Sequence, residues 1–497
     1  MCETPASFTE PGSNVSPQTT GQTPPAPEVA TGPLGRNYLK LWTASTVSNL
    51  GDGIDNAALP LLAEALTRDP LLFAGVATAN RLPWLLFSLH AGAIADRVDR
   101  RKLMVVSNAI RFVLMGALGL AVLTDTASIW LLYLVALGLG TFEVLFDNAA
   151  QALMPAVVSR EQLEKANGRL FAGEIVTNQF AGPPLGALLF GVAASLPILL
   201  DAGTFLVSAT LIAMMSGDFH RRRRAVPPRP VAGAGVTDGD PVASPTELAP
   251  GADPSLPLDA RTDADAGTRE GPSASDVAPG PVEASASPRM RTEIAEGLRW
   301  LWQHRLLRTL AILLAAMNGT GAFGAAILAL YAVGEGSVLG LDAFGWGLLL
   351  TAGAAGSFAA SFVAERVVAR FGRSRALWMT LLSAVVVPLG IGLTSRVGVV
   401  VAAQVLYGFA AVLWNVITVS LRQSIIPDDL LGRVNSVYRF LGWGAIPVGS
   451  LLGGVIASGL GLRAPWIAAA VVMAIALLAA VGTINDRTID AARAATT

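Results

Sequence analysis

The chain has 497 residues, 53% hydrophobic and only 14% charged, where a soluble domain carries roughly 25% Asp, Glu, Lys and Arg. Lys+Arg 35 against Asp+Glu 36 leaves a net charge of −1 and no basic excess for nucleic acid. One cysteine and three histidines exclude a disulfide scaffold and speak against structural zinc, and no cofactor is expected.

Residues 1–35 are rich in Pro, Thr, Ser and Gly and read as a disordered cytoplasmic tail. No apolar run of the signal-peptide kind precedes the first long segment, so Cys2 is not expected to be a lipoprotein anchor. Twelve apolar segments follow, near 38–66, 72–95, 103–123, 129–152, 166–190, 193–216, 306–333, 343–369, 376–394, 398–426, 433–459 and 463–484. Each reaches the ~20 residues that cross the hydrocarbon core. Inside hydrocarbon the backbone must bond to itself, and continuous apolar runs without alternation predict helices, not a barrel.

Between the sixth and seventh segments, Arg221, Arg222, Arg223 and Arg224 open a Pro-, Ala-, Gly- and Asp-rich stretch with few large apolar residues. The expectation is a disordered linker over 217–291, dividing a six-helix bundle at 36–216 from another at 306–484. Ile294, Leu298, Leu301 and Trp302 then recur at helical spacing opposite Glu293, Glu296 and Arg299, predicting an interfacial amphipathic helix over 292–305. Residues 485–497 are expected to be a cytoplasmic tail.

Short loops on one side carry Arg97, Arg100, Arg101, Lys102, Arg160, Lys165, Arg366, Arg370, Arg373 and Arg375, against Arg68, Arg396 and Arg463 on the other. The positive-inside rule then predicts both termini in the cytoplasm of a multi-pass inner-membrane protein. The halves also repeat each other. Ala-Asp96-Arg97 is answered by Ala-Glu365-Arg366, and Gln151 precedes Pro155 as Gln423 precedes Pro427. Arg169 precedes Pro183 by the spacing that separates Arg433 from Pro447 (183 − 169 = 447 − 433 = 14). Three matches in one order argue for a duplicated bundle.

Gly92, Asp96, Arg97, Arg100 and Arg101 resemble the cytoplasmic loop motif G-x-x-x-D-R-x-x-R-[RK] of the major facilitator superfamily. The stretches FDNAAQALMPAVVSREQLEKANGR and GRVNSVYRFLGWGAIPVGSLLGG resemble its macrolide-efflux and enterobactin-exporter branch, also described as transmembrane secretion effectors. The likeness covers about 36–216 and 292–484. It implies an all-α membrane fold of twelve helices in two pseudo-symmetric six-helix bundles, and a secondary transporter working by alternating access. It also implies a latch in which Asp96 meets the N-terminus of a helix of the other half. Arg97 and Arg101 are expected to close a charge cluster with Asp147, with Glu365 and Arg366 at the matching position. The fifth-span antiporter pattern G-x-x-x-G-P-x-x-G-G is met by Gly182, Pro183 and Gly186, with Asn178 and Ala187 standing where glycines would.

Ionisable groups inside spans cost about 2.5–3.5 kcal/mol on insertion scales, so each calls for a role. Asp52 and Asp55 share a face of the first span, and Glu143 and Glu174 lie in the fourth and fifth. These four are the candidate proton-coupling acids. At the corresponding depth of the seventh span stand Gly321 and Gly324, so the acids belong to the first half. Arg111 is a candidate to neutralise Asp52 or Glu143. Asn49, Arg81, Arg111, Phe142, Tyr407, Trp414 and Asn415 are candidate cavity-lining residues, while Gly182, Pro183, Gly186, Pro447 and Gly449 are candidate hinges. Gly319 to Gly324 matches G-x-G-x-x-G but lies inside a span, which makes it helix packing and not a nucleotide site.

The expected function is proton-coupled efflux of an amphiphilic small molecule by a monomer in the lipid bilayer, with protons and cargo as partners and no enzymatic activity. Two alternatives stand beside it: a dedicated exporter of a siderophore or other endogenous metabolite, and a membrane-anchored interaction protein working through 218–290.

Overall fold

With no water to bond them in hydrocarbon, the backbone amides and carbonyls of most of the described residues are satisfied within helices. The computed structural model describes residues 34–159, 162–216 and 288–494, except the side chains at 88–93, 95–97, 288–294, 428–429 and 493. The disorder expected at 1–35 and 217–291 therefore falls almost wholly outside the described residues. The described residues up to 216 and from 292 onward belong to one unit.

The first half comprises α1 (Arg36–Leu66), α2 (Pro70–Arg97), α3 (Arg100–Leu123), α4 (Ile129–Val157), α5 (Leu163–Glu174), α6 (Gly182–Val192) and α7 (Ser195–Ala213). After α8 (Pro288–Gln303), the second half comprises α9 (Arg305–Ala325), α10 (Leu328–Ala332), α11 (Ala343–Phe371), α12 (Arg373–Leu393), α13 (Val397–Ile425), α14 (Asp428–Leu460) and α15 (Ala464–Ala480), followed by α16 (Asp486–Ala494). Side chains that compete for backbone N–H groups start several of them. Asp69, Asp99 and Asp342 accept from the first turns of α2, α3 and α11 at 2.8, 2.9 and 2.7 Å.

Among the described residues, eight helices are long and apolar enough to cross a membrane. Charged α1 and α2, the broken α5–α6 crossing and the 17-residue α15 complete twelve (8 + 2 + 1 + 1). The fifth crossing is interrupted by a π-helical turn, Ile175–Ala181. Its cause follows directly: Pro183 and Pro184 have no N–H to give to the preceding turn, so the bonding pattern widens there.

Helix pairing repeats between the halves. In the first, α2 packs on α4, α3 on α7, and α1 on α6; in the second, α11 packs on α13, α12 on α15, and α9 on α14. The halves meet through an exchanged pair of contacts, α2 with α14 and α6 with α11. The duplication legible in loop motifs is therefore a duplication of packing.

Two departures from the sequence-based expectation have local causes. The seventh segment is not one helix to residue 333, because α9 is capped at Ala326 and the chain restarts as α10 before a loop of left-handed glycines, Gly334, Gly336 and Gly340. The C-terminal stretch forms α16, whose Ile489 is buried with Leu421, Ile425 and Ile484. In α8, Leu301 is buried while Leu298 and Trp302 remain exposed, and Glu296, assigned to the polar face, pairs with Arg433 at 2.8 Å.

The crossing of α11 with α13 is a close backbone approach in the second half. A Cβ at Gly356 would fall 1.9 Å from the Val405 carbonyl oxygen, and one at Gly408 would fall 1.9 Å from that of Gly353. Overpacked sites cost about 1–3 kcal/mol. Gly356→Val is expected to lower the unfolding temperature in detergent by several degrees and reduce monodisperse yield, as read by thermal-shift and gel-filtration profiles.

Candidate functional site

The middle of α1 places Ser48, Gly51, Asp52 and Asp55 on one face, directed at α3 and α7 by helical periodicity. Arg111 of α3 donates from Nη2 to Asp52 Oδ1, and its guanidinium carbon lies 4.0 Å from the centroid of the Phe205 ring. Arg111 is 3% exposed and Asp52 27%. Removing one member of such a pair strands the other, which costs roughly 3–5 kcal/mol. Alongside, Asp201 of α7 is completely buried and accepts from Thr204 Oγ1 at 2.9 Å. One helical stretch further, Asn108 donates to Ser208 Oγ at 2.8 Å and ties α3 to α7.

The remaining candidate acids are more open. Glu143 and Asp147 are half-buried on α4, and Glu174 is exposed on α5. None of the three has a hydrogen bond or ion pair among the described residues. Arg111, paired with Asp52, also lies within electrostatic range of Glu143, Asp201 and Asp147.

The loop motif divides. The side chains of Gly92, Asp96 and Arg97 lie outside the described residues. Arg100 donates to Ala152 O at 2.7 Å, and Arg101 donates to the carbonyls of Ile212, at 3.2 Å, and Ala213. The expected Arg101–Asp147 pair is thus replaced by a tie to the C-terminal end of α7. The reason is physical: the last carbonyls of a helix have no intrahelical donor and carry the negative end of its dipole. Glu365 has no partner among the described residues, and Arg366 donates to Phe362 O within its own helix.

The hinge candidates lie at close backbone contacts. A Cβ at Gly182 would meet Gly53 Cα at 2.5 Å, one at Gly186 the Ile54 carbonyl at 2.3 Å, and one at Gly449 the Gly319 carbonyl at 2.1 Å. These three join α6 to α1 and α14 to α9, within each half and not between the halves. Pro183 does face the seam, since a Cβ at Gly347 would lie 2.7 Å from its carbonyl. Pro447 is buried inside α14. The two departures from the fifth-span pattern have partners of their own. Asn178 accepts from Asn56 at 3.2 Å, and Ala187 fills the space left by Gly347.

Among the cavity candidates, Asn49, Arg81 and Phe142 are half-buried, and Arg111 is committed to Asp52. Tyr407 is 53% exposed, with its hydroxyl 3.9 Å from where a Cβ on Gly321 would stand, so it is directed at α9. Trp414 is not cavity-lining: it is 3% exposed and packed with Leu413 and Ile417 in the core of the second half. Asn415 is exposed and donates to Ala411 O of its own helix.

The halves are joined most firmly at the end where α1 meets α2. Arg68 reaches across to the carbonyl of Glu335 while pairing with Glu64, and Gly334 (φ 84°) leaves the room it needs. Trp346 donates to Ala57 O at 3.2 Å. One apolar cluster there contains Leu61, Phe73, Leu328, Tyr331 and Trp346, from both halves. Farther along, Trp84 stacks on Trp443 with centroids 5.3 Å apart, and Phe180 meets Phe358 edge-on at 6.0 Å. At the opposite end each half has its own cluster, around Tyr38, Met104 and Leu153 in one and Leu310, Leu421 and Tyr438 in the other. A cavity of about 500 Å³ opens beside Arg68, Pro70, Glu335 and Leu462, remote from the acids.

A family model described as the Major Facilitator Superfamily matches residues 41–446 and 308–495. The chain belongs to that superfamily. It is 26% identical over 459 residues to the "Multidrug efflux pump Tap" of Mycolicibacterium fortuitum, covering 88% of this chain and 92% of that protein. It is 24% identical over 452 residues to the Tap pump of Mycobacterium tuberculosis, covering 86% and 88%. A match to an "Uncharacterized MFS-type transporter" of M. tuberculosis, 32% identical over 146 residues, spans 28% of this chain and about a third (32%) of that protein. The fold is also that of the nucleoside transporter NupG, with TM-score 0.58, 8% identity and coverage of 90% and 99%. It is likewise that of a bacterial homologue of the iron transporter ferroportin in an inward-facing state, with TM-score 0.56, 14% identity and coverage of 89% and 98%. This major facilitator protein is a multi-pass membrane transporter.

Two measurements probe the site. Arg111→Met is expected to destabilise the protein by roughly 3–5 kcal/mol, with part of that loss recovered by adding Asp52→Asn, since the carboxylate in direct contact is then not stranded; thermal unfolding in detergent reads both. For the junction, Arg68→Ala is expected to lengthen and broaden the distance distribution between spin labels at residues 67 and 337, in a background where Cys2 is replaced by Ser.

Proposed function

We propose that this transporter is a proton-coupled exporter, an antiporter that moves amphiphilic small molecules out of the cell and confers resistance to several drugs. The carrying observation is the run of membrane-embedded carboxyls in the first half, Asp52, Asp55, Glu143 and Glu174, with the guanidinium of Arg111 paired to the first of them. Acids at such depth are costly unless they neutralise or pair, so they are suited to take up and release protons as access changes. The second half offers no such acids at the matching depth, where Gly321 and Gly324 stand instead.

The positive-inside bias supports placing Arg100 and Arg373 in the cytoplasm, with both termini, and Arg68 outside. In that frame the halves are clasped at the outer end and have separate cores at the inner end, the arrangement of a carrier ready to load from the cytoplasm. Tyr407, Trp443 and Phe358 of the second half expose aromatic surface, a surface suited to a bulky apolar cargo. The multidrug efflux pumps of similar sequence favour a drug over a dedicated metabolite. Asp96, Arg97, Arg100 and Arg101 would set the balance between states without touching the cargo. The working unit is a monomer.

The test uses ethidium as the probe in everted membrane vesicles with an imposed pH gradient. Export energised by the gradient and abolished by nigericin is expected. Glu143→Gln and Asp52→Asn should each lower gradient-driven accumulation about fivefold or more, the scale of an ordinary coupling energy. Accumulation that ignores the gradient, or is unchanged in both variants, overturns the assignment.

A further inference from the structure

Asp201 stands outside the acids assigned above, yet it is the most completely buried carboxyl at the site, at 0% exposure. It is pressed into α1 so closely that a Cβ at Gly51 would fall 1.8 Å from its Oδ1. Any side chain larger than glycine at position 51 would displace it. Asp55, 7% exposed, stands one turn beyond Gly51 on the same buried face of α1, which brings its carboxyl beside that of Asp201. Two carboxylates in contact repel each other, and dry surroundings screen that repulsion poorly.

The hydrogen bonding of this pair is incomplete. Thr204 supplies one hydroxyl to Asp201 Oδ1. After that, each carboxyl keeps one buried oxygen with no partner, Asp55 Oδ1 and Asp201 Oδ2. Ser48 Oγ, 3% exposed and on the same face of α1, also has none. Buried polar atoms are rarely left so. The charged groups around it are Asp52 on α1, Arg111 on α3, Glu143 and Asp147 on α4, and farther off Glu174 on α5. Neither the π turn nor α6 carries a titratable side chain. Arg111, the cation of this group, is spent on Asp52. A proton held between Asp55 and Asp201 satisfies both free oxygens and removes one negative charge from a place where water cannot offset it.

We propose that Asp55 and Asp201 share one proton, and that this pair, with Asp52 kept ionised by Arg111, is the group that loads and unloads during transport. The proposal rests on the proton-coupled reading above and changes which residues carry it. Loading forms one O–H bond on a carboxylate oxygen with a proton taken from water, and unloading breaks that bond and returns the proton to water. No electron moves. Asp52 becomes a positioning residue that holds Arg111 in place.

The experiment is infrared difference spectroscopy of the full-length protein in lipid nanodiscs, between mildly acidic and mildly alkaline buffer. A carbonyl-stretch band of a protonated carboxyl, shifted in D2O, is expected in the parent. It should disappear in Asp55→Asn and in Asp201→Asn, each taken alone. Asp201→Glu, which keeps a carboxyl, should retain a displaced band and thereby guard against loss through misfolding. A band that persists in Asp201→Asn, or a parent with none, overturns the pair. Ethidium export in vesicles separates the two ideas. A gradient-driven parent without the band overturns the pair alone. A parent with the band whose export ignores the gradient overturns the coupled cycle, and with it the loading role.

Discussion

One guanidinium serves a crowd of carboxyls in a medium that hydrates neither sign. Arg111 is in reach of Asp52, Glu143, Asp201 and Asp147 but makes its contact with only the first. That shortage of positive charge is the constraint around which the first half is organised. It explains why α1 presents glycine at position 51, why Thr204 turns its hydroxyl onto Asp201, and why Phe205 lies flat against Arg111. An aromatic face is one of the few neighbours that receives a dry cation favourably.

The halves are alike in packing and unlike in charge. The same helix pairs form in each, and the same exchanged contacts join them. Yet acids occupy the interior of the first half, while small and aromatic residues occupy that of the second, with Gly319, Gly321 and Tyr407 at mid-depth. Duplication supplied a symmetric frame, and divergence of a few interior positions divided the labour. A transporter built this way can change charge in one half and transmit the change through α2 with α14 and α6 with α11.

Much of this architecture is legible in the order of the amino acids. Twelve apolar segments and three repeated loop spacings lead to two six-helix halves, because hydrocarbon admits few alternatives. That Arg111 pairs with an acid follows from the cost of isolated charges, but the sequence leaves Asp52 and Glu143 equally open and only the structure selects Asp52. What stays hidden depends on the azimuth of a side chain, which an apolar helix does not reveal. Trp414 faces the core and not a cavity, although nothing in its neighbours Leu413 and Asn415 indicates this. Asp201 sits in a segment so apolar that it reads as one polar residue among many hydrophobic ones; its significance comes only from Gly51 opposite. The glycines of α6 and α14 mark close packing in any reading, but which helix each one meets is a matter of tertiary placement. Arg101 binds the end of α7 because helix ends carry unpaired carbonyls that no motif records.

The widened turn at Ile175–Ala181 has a mechanical consequence. A π turn accommodates a spare residue relative to an α-helix, and rewinding it would swivel everything beyond by about 100°. Below that turn the fifth crossing leans on Trp42 and Thr46 near Gly173, while above it Pro183 and Ala187 bear on Gly347 of the opposite half. The crossing thus contains its own slack, a built-in clutch between an anchored lower stretch and an upper one that grips the other half. Among the described residues no other crossing contains such a turn, so an adjustment of register between the halves has one natural place to be absorbed.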